Sequence, residues 1–258
     1  MKAAMMQPAF MPWQGYFELL MKADVFILLD DFQFSVQSYH QRNRLFTSPG
    51  RVDWWSVPVQ KKSSFKKPLT EVLVNDALPW RVKLLKRFRQ NYHAAAHHAE
   101  IFNLLSAWLD SGDATLAALN IRLIAMVMER LRIGTRILLS SEFPATGVRS
   151  ARVGKLLEAC GADVYLCARG AFEYMLEDGV FPLPGVETLF QDFLPRPYRQ
   201  VGVTGAFEPR LSIIDALANL EAEAVGELVG RGTASWISWD ELAGTARHPL
   251  NARRQDPT

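Results

Sequence analysis

The chain has 258 residues, of which 49% are hydrophobic and 22% charged, and a formal net charge of +2. That is the composition of a soluble globular protein long enough for one large domain or two small ones, with no general electrostatic attraction to nucleic acid. Two cysteines, Cys160 and Cys167, make neither a disulfide framework nor a zinc knuckle, and the absence of a leader pattern or of a run of ~20 apolar residues predicts a cytoplasmic protein that does not enter the membrane.

Residues 2–6 are apolar and read as a buried strand, followed by the loop "QPAFMPW". In "GYFELLMKA" (15–23) the apolar residues Tyr16, Leu19, Leu20 and Ala23 fall at helical spacing. "VFILL" (25–29) is a continuous apolar run that ends at Asp30 and Asp31, as expected of a parallel strand covered on both faces. The start is therefore β–loop–α–β, and the right-handed crossover rule makes the two strands parallel neighbours. "VDWWSVPV" (52–59) reads as a strand, with "LTEVLVN" (69–75) as its expected partner across a Lys/Ser-rich loop. A helical block spans about 80–132. "TRILLSSE" (135–142) and "DVYLCA" (163–168) are strands on either side of a helix at 149–162, which Gly161 stops. One further helix is expected at 211–220, and residues 233–258 read as a C-terminal tail beyond a domain of 1–232. The fold predicted is α/β with a mostly parallel sheet.

In such sheets ligands bind beyond the carboxyl ends of the strands. The loop Gln7–Trp13, the pair Asp30 and Asp31, and the run Ser140, Ser141 and Glu142 all lie at such ends. Pro8 and Pro12 stiffen the loop, Gly15 permits a close backbone approach, and the helix start offers N–H groups to a phosphate. Either the loop is a ligand cradle or Trp13 plugs the core. Asp30 and Asp31 are the candidate general acids or bases. In "YHQRNRL" (39–45), Arg42 and Arg44 share a strand face and flank Asn43, an arrangement suited to an anion. His93, His97 and His98 lack a third converging ligand, so no metal is expected. Asp215, in an apolar run, needs a partner, for which Arg199 or Arg210 is the candidate. The basic runs "QKKSSFKK" (60–67) and "RVKLLKRFR" (81–89) read as solvated faces.

"MQPAFMPWQGYFELLMKADVFILLDDFQFSVQSYHQRNRL" resembles the opening of the WbqC-like protein family, with its Gln-Pro-aromatic-x-Pro-Trp-x-Gly-Tyr, Asp-Asp-x-Gln-Phe and Arg-Asn-Arg blocks. The likeness continues through "LAALN" (116–120), "SSE" (140–142), "GADVYL" (161–166), "YRQ" (198–200) and "FEPRLSIIDALAN" (207–219). At "YLCARG" (165–170) relatives tend to carry Ser-Gly after Tyr-Leu. The resemblance implies a transferase of sugar or small-molecule tailoring, in surface-polysaccharide or natural-product biosynthesis, that moves an aminoacyl or acyl group onto an amine or hydroxyl. Its implied ligand bears a phosphate, as a nucleotide sugar or an acyl or aminoacyl donor does; tRNA is a partner only if the donor is an aminoacyl-tRNA. No cofactor is implied. The residues it points to are Gln7, Trp13, Gly15, Tyr16, Gln33, Arg42, Asn43, Arg44, Ser140, Ser141 and Glu142 for binding, with Asp30 and Asp31 as catalytic groups.

"QPAFMPWQGY" also has the outline of the His-x-Gly-His nucleotidylyltransferases, with Trp13-Gln14-Gly15-Tyr16 where the two imidazoles would stand. Phosphoryl transfer needs positioned positive charge. The scaffold is therefore expected to be Rossmann-like without that chemistry, and a non-catalytic ligand-binding protein on it is the contrasting expectation.

Overall fold

The computed structural model describes residues 1–60, 64–144 and 146–246. Strands β1 (Lys2–Met6), β2 (Val25–Leu28), β5 (Arg136–Leu139), β6 (Val164–Ala168) and β7 (Glu187–Gln191) run parallel, and a short β8 (Ile237–Ser238) closes the edge antiparallel to β7. The sheet order is β5-β2-β1-β6-β7-β8. The four strands expected from apolar runs thus lie in one mostly parallel sheet of Rossmann-like outline.

Alternation along these strands explains why both faces are covered. Ala4, Phe26, Leu28 and Leu166 belong to one buried cluster, and Ala3, Met5, Val25, Ile27, Tyr165 and Cys167 to another. Helix α1 (Gln14–Lys22) packs on the first side, with the expected helical block as α2 (Trp80–Tyr92), α3 (His98–Leu109) and α4 (Leu116–Arg130). Helices α7 (Ile213–Asn219) and α8 (Ala222–Gly230) complete that layer. Helices α5 (Arg149–Cys160), α6 (Phe172–Asp178) and α9 (Trp239–Ala246) cover the other side.

Three expectations change. The partner of β4 (Arg51–Ser56) is β3 (Arg42–Ser48), an antiparallel ribbon, while 69–75 contributes a 3-10 turn and the isolated bridges Val74–Val59 and Leu73–Thr115. A tight turn at Pro49-Gly50 brings 42–48 back on 51–56, and this local pairing prevails over the longer connection. Second, the fold continues past residue 232. The backbone N–H of Thr233 donates to the buried Glu18 carboxylate at 2.7 Å, β8 joins the sheet, and Trp239 is buried among Phe172, Phe181 and Phe190. Residues 247–258 of the expected tail lie outside the described residues, as do 61–63 of the lysine-rich loop. Third, Asp215 is fully buried but, among the described residues, pairs with no arginine. It accepts hydrogen bonds from Tyr92 Oη (2.9 Å), Tyr198 Oη (2.6 Å) and Gln200 Nε2 (3.0 Å). Burial raises its pKa, so neutral hydroxyl and amide donors suffice where a cation would itself have needed desolvation.

The opening loop is tied at almost every carbonyl. Asn120 Nδ2, on α4, donates to Pro8 O (3.0 Å) and His40 O (2.8 Å). Asn43 Nδ2, on β3, donates to Phe10 O (3.2 Å) and Met11 O (2.8 Å). The N–H of Ile213, at the start of α7, donates to Pro12 O at 2.8 Å. Met11 is held at a φ of +45°, a conformation an L-residue adopts only when its surroundings fix it.

Asn120→Ala leaves two buried carbonyls without donors. The expected loss is about 2–4 kcal/mol in urea unfolding, from an unmet buried group at about 1–3 kcal/mol each. The exposed Asn103→Ala on α3 should change stability by less than about 0.5 kcal/mol.

Candidate functional site

The strand order reverses beside β1. The chain moves from β1 outward through β2 and β5, then returns through α5 to the other side of β1 as β6. Such a switch point leaves a crevice between the carboxyl ends of two neighbouring strands. Two cavities meet there, sharing Met6 at the end of β1 and Ala168 and Gly170 after β6.

The first chamber, about 350 Å³, is walled by Gln7, Leu29, Phe32, Val153, Tyr165, Cys167 and Tyr174, with Arg149 at its margin. The second, about 370 Å³, is lined by Pro12, Trp13, Tyr16, Tyr39, Asn43 and Phe193, together with Arg169, Asp192 and Arg210. Together they form a groove with flat aromatic walls and a cationic rim, the lining expected of a small-molecule site. A larger open cleft of about 860 Å³ lies between α3, α4 and α8, away from every strand end. Two arginines line it, Arg130, paired with Glu100 at 2.5 Å, and Arg132, but ligands in such sheets bind beyond the carboxyl ends of the strands, so we assign the site to the groove.

The opening loop is a wall of this groove, not a core plug. Phe10 and Met11 are buried beneath it, while the half-exposed Trp13 ring faces the second chamber and meets Phe193 edge-on at 5.1 Å. Gly15 serves that ring: a Cβ there would stand 2.4 Å from the Trp13 indole. The close approach read from the sequence is therefore made by the protein's own tryptophan. Tyr16 is buried, its hydroxyl donating to Gln7 O at 3.3 Å, and burial pushes its pKa well up. It is a hydrogen-bonding wall and not a base.

Gln7 is positioned by a residue the sequence reading passed over. The N–H of Ser35 points at His40 Nδ1 (3.3 Å), which makes Nδ1 the acceptor, so Nε2 carries the hydrogen and donates to Gln7 Oε1 at 2.6 Å. Burial holds His40 neutral, with its pKa lowered to about 4. His40 and Asn120 stand inside segments that carry the family likeness, but neither forms a local pattern that would have singled it out.

Asp30, Asp31, Ser140 and Ser141 come together at the ends of β2 and β5. Asp30 accepts from Ser140 Oγ (3.1 Å), Ser141 N (3.0 Å) and Ser141 Oγ (2.7 Å). Asp31 accepts from Ser140 Oγ and pairs with Arg152, which lies over the Phe32 ring at 5.1 Å. Both carboxylates turn toward β5, although alternation along an extended chain would send neighbouring side chains to opposite sides. The cluster adjoins the first chamber through Leu29 and Phe32 without lining it. Glu142 is exposed on the 3-10 turn, and Gln33 is exposed where its backbone bridges Pro68.

On the ribbon, Asn43 faces inward and holds the loop, while Arg42 and Arg44 face outward. Arg44 is paired with Glu208 at 2.5 Å, and Arg42 lies 4.2 Å over the Trp54 ring. The cations that line the groove are instead Arg149, Arg169 and Arg210. Arg169 is paired with Asp192 at 2.9 Å and Arg149 with Asp178 at 3.1 Å. Among the described residues no carboxylate pairs with Arg210, which is held at a φ of +59°. Its segment, "FEPRLSIIDALAN", carries the family likeness, but the sequence offered this arginine, or Arg199, only as a partner for Asp215. The thiol of Cys167 is buried, and burial raises its pKa well above the ordinary value, so it is not a poised nucleophile. Among the described residues no group of three or more His, Cys, Asp or Glu is arranged to hold a metal. Among them, too, no helix is long and apolar enough to cross a membrane.

Fold and groove define an α/β protein with a two-chambered crevice at its topological switch point. A sequence profile of the WbqC-like protein family matches residues 7–227, which contain nearly every residue named above, and the chain belongs to that family. A Mycobacterium tuberculosis (strain ATCC 25618 / H37Rv) protein, named only "Uncharacterized protein Rv1507c", is 34% identical over 225 residues, covering 86% of this chain and 95% of its own. No solved structure matches the chain.

The neutral His40 predicts a pH dependence. Its folded pKa lies below the unfolded value of about 6.5, so the unfolded chain takes up the proton first, and stability is present above that value and lost as pH falls toward 4. By pH 5 the loss is about 2 kcal/mol relative to pH 7. In His40→Gln this component disappears, and urea titrations at the two pH values should differ by that amount less than in the wild type.

Proposed function

We propose that the chain is a transferase of sugar or small-molecule tailoring, in surface-polysaccharide or natural-product biosynthesis, that holds a phosphate-bearing donor in the groove. The single observation that carries this reading is the unpaired Arg210 beside Trp13, Phe193 and the Arg169–Asp192 pair in the second chamber. A phosphate meets two guanidinium groups there, and a base or sugar ring meets flat walls. The first chamber, more apolar and joined to it at Met6 and Gly170, then takes the acceptor.

Asp192 is the carboxylate that lines the groove. When the donor phosphate engages Arg169, Asp192 is released to act as the general base. The acceptor amine or hydroxyl attacks the acyl carbon, its proton passes to Asp192, and the leaving group departs with the bonding pair against Arg210. Asp30 and Asp31, saturated by Ser140, Ser141 and Arg152, act in this reading as supports for the Leu29–Phe32 wall. That same saturation favours a second reading, in which the protein binds its ligand without transforming it.

A thermal-shift screen against nucleotide sugars, acyl-CoA and aminoacyl donors finds the ligand class. With the hit in hand, Arg210→Ala should weaken its binding by about 1.5–3 kcal/mol, the range for a hydrogen bond to a charged group, and leave the melting temperature nearly unchanged. Asp192→Asn should lower turnover more than binding. If mass spectrometry of wild-type reactions detects no transferred group on any acceptor while the donor still binds, the second reading holds.

A further inference from the structure

The ribbon outside the groove carries a second pattern. Along β3 and β4, Asn43, Leu45 and Trp55 turn inward, and Arg42, Arg44 and Trp54 turn outward. Arg44 is neutralised by Glu208. Arg42 stands over the Trp54 ring at 4.2 Å, and its buried Nε has no hydrogen-bond partner. On the same indole, Tyr39 packs edge-on at 5.7 Å while remaining 56% exposed, and Tyr39 also lines the groove. Aromatic rings thus run without a break from the second chamber onto the open ribbon.

Helix α2 borders the ribbon on its Trp55 side and reaches the backbone of Trp54 at the strand edge. Arg87 donates to Trp54 O at 3.3 Å and lies 4.8 Å over the Trp55 ring. Lys83, Lys86 and Arg87 fall on one stripe of that helix by spacing. Among the described residues, none of Arg42, Lys83 and Lys86 is paired with a carboxylate. Two acidic residues stand nearby: Glu208, paired with the outward Arg44, and Asp53, which alternation puts on the Trp55 side of the ribbon. The Asp53 carboxylate accepts from the Trp54 N–H at 2.7 Å, lies 3.9 Å from Arg51 and acts on the Arg87 charge. Folding alone gains little from an unpaired guanidinium stacked on a surface indole, since such exposed contacts are worth about 0.5–1 kcal/mol. Aromatic rings at the surface, flanked by cations and beside a pocket, are what an unpaired nucleic-acid strand requires.

We propose that Tyr39, Trp54, Arg42 and the Lys83–Arg87 stripe form a docking surface for a single-stranded nucleic acid, its bases on the rings, its phosphates on the cations and one end at the groove. A duplex hides its base faces, so the surface prefers single strands. The net charge of +2 gives little non-specific attraction, so binding depends on this strip and engages few phosphates. The strip binds a strand whether or not the groove transfers a group.

Fluorescence anisotropy with the full chain tests this, using labelled RNA and DNA strands of about 12 nucleotides and the matching duplexes. The expected result is saturable binding of a single strand, with log affinity falling against log salt by about 2–3, as for three or four phosphates. Trp54→Ala should weaken binding about tenfold or more, Trp54→Phe should retain most of it, and Arg42→Ala should reduce the salt slope. Circular dichroism confirms that each variant is folded. RNA and DNA arms report which sugar is preferred. Arg210→Ala should leave strand binding intact, so that failure of the strip and failure of the groove reading are told apart. No saturable binding, equal binding of duplex and single strand, or an unchanged affinity in folded Trp54→Ala each overturns the proposal.

Discussion

Two buried side-chain amides hold the site. Asn43 and Asn120 are each at most 1% exposed, and each donates to two backbone carbonyls of the opening loop or its neighbour. A buried carbonyl without a donor is costly, and this loop, with prolines at two of its positions, cannot satisfy its carbonyls by forming a helix or strand of its own. The donors therefore come from outside. They fix Met11 in its left-handed conformation, bring Trp13 onto Gly15, and set the wall against which the second chamber is formed. Gln7 is held in the same way by His40, whose neutrality is a product of burial.

The groove's chemistry follows from where charge is spent elsewhere. Arg44, Arg130 and Arg152 are neutralised by Glu208, Glu100 and Asp31 and act as struts. Asp30 and Asp31 are taken up in joining β2 to the turn after β5. What remains at the sheet edge is Arg210, with the exchangeable Arg169–Asp192 pair, among aromatic rings. The proposed function draws on the groups that the framework leaves uncommitted.

Strands β1, β2, β5 and β6 were legible because a strand covered on both faces is a short apolar run, which no partner need be known to recognise. Helix α1 and the block α2 to α4 were legible from their spacing. β7, "ETLFQ", was not, because Phe190 is buried by Phe172 and Trp239, which are distant in sequence, and β8 was not, because two residues carry no pattern. The loop was placed beyond a strand end by strand-end logic, and Gln7, Trp13 and Tyr16 were picked out in it by the family resemblance. Their supports were not, since the bonds from Asn120, Asn43 and Ile213 span up to about two hundred residues. Arg42 and Arg44 show the limit of reading charge from spacing: they do share a face, as two-residue periodicity requires, but that face lies outside the groove, and only Glu208, 164 residues on, decides that Arg44 is a strut. Charges have no periodicity that reveals their partners.

The tie between Pro12 O and the N–H of Ile213 joins the beginning of the chain to a point near its end. A chain made from its amino terminus on the ribosome presents the loop first and its last donor some two hundred residues later. At a synthesis rate of about 5–20 residues per second, the loop waits on the order of ten seconds or more before it is complete. β1 likewise waits for β6, its partner on one side. The crevice thus closes late, only after Ile213 has been made and its N–H has met the loop.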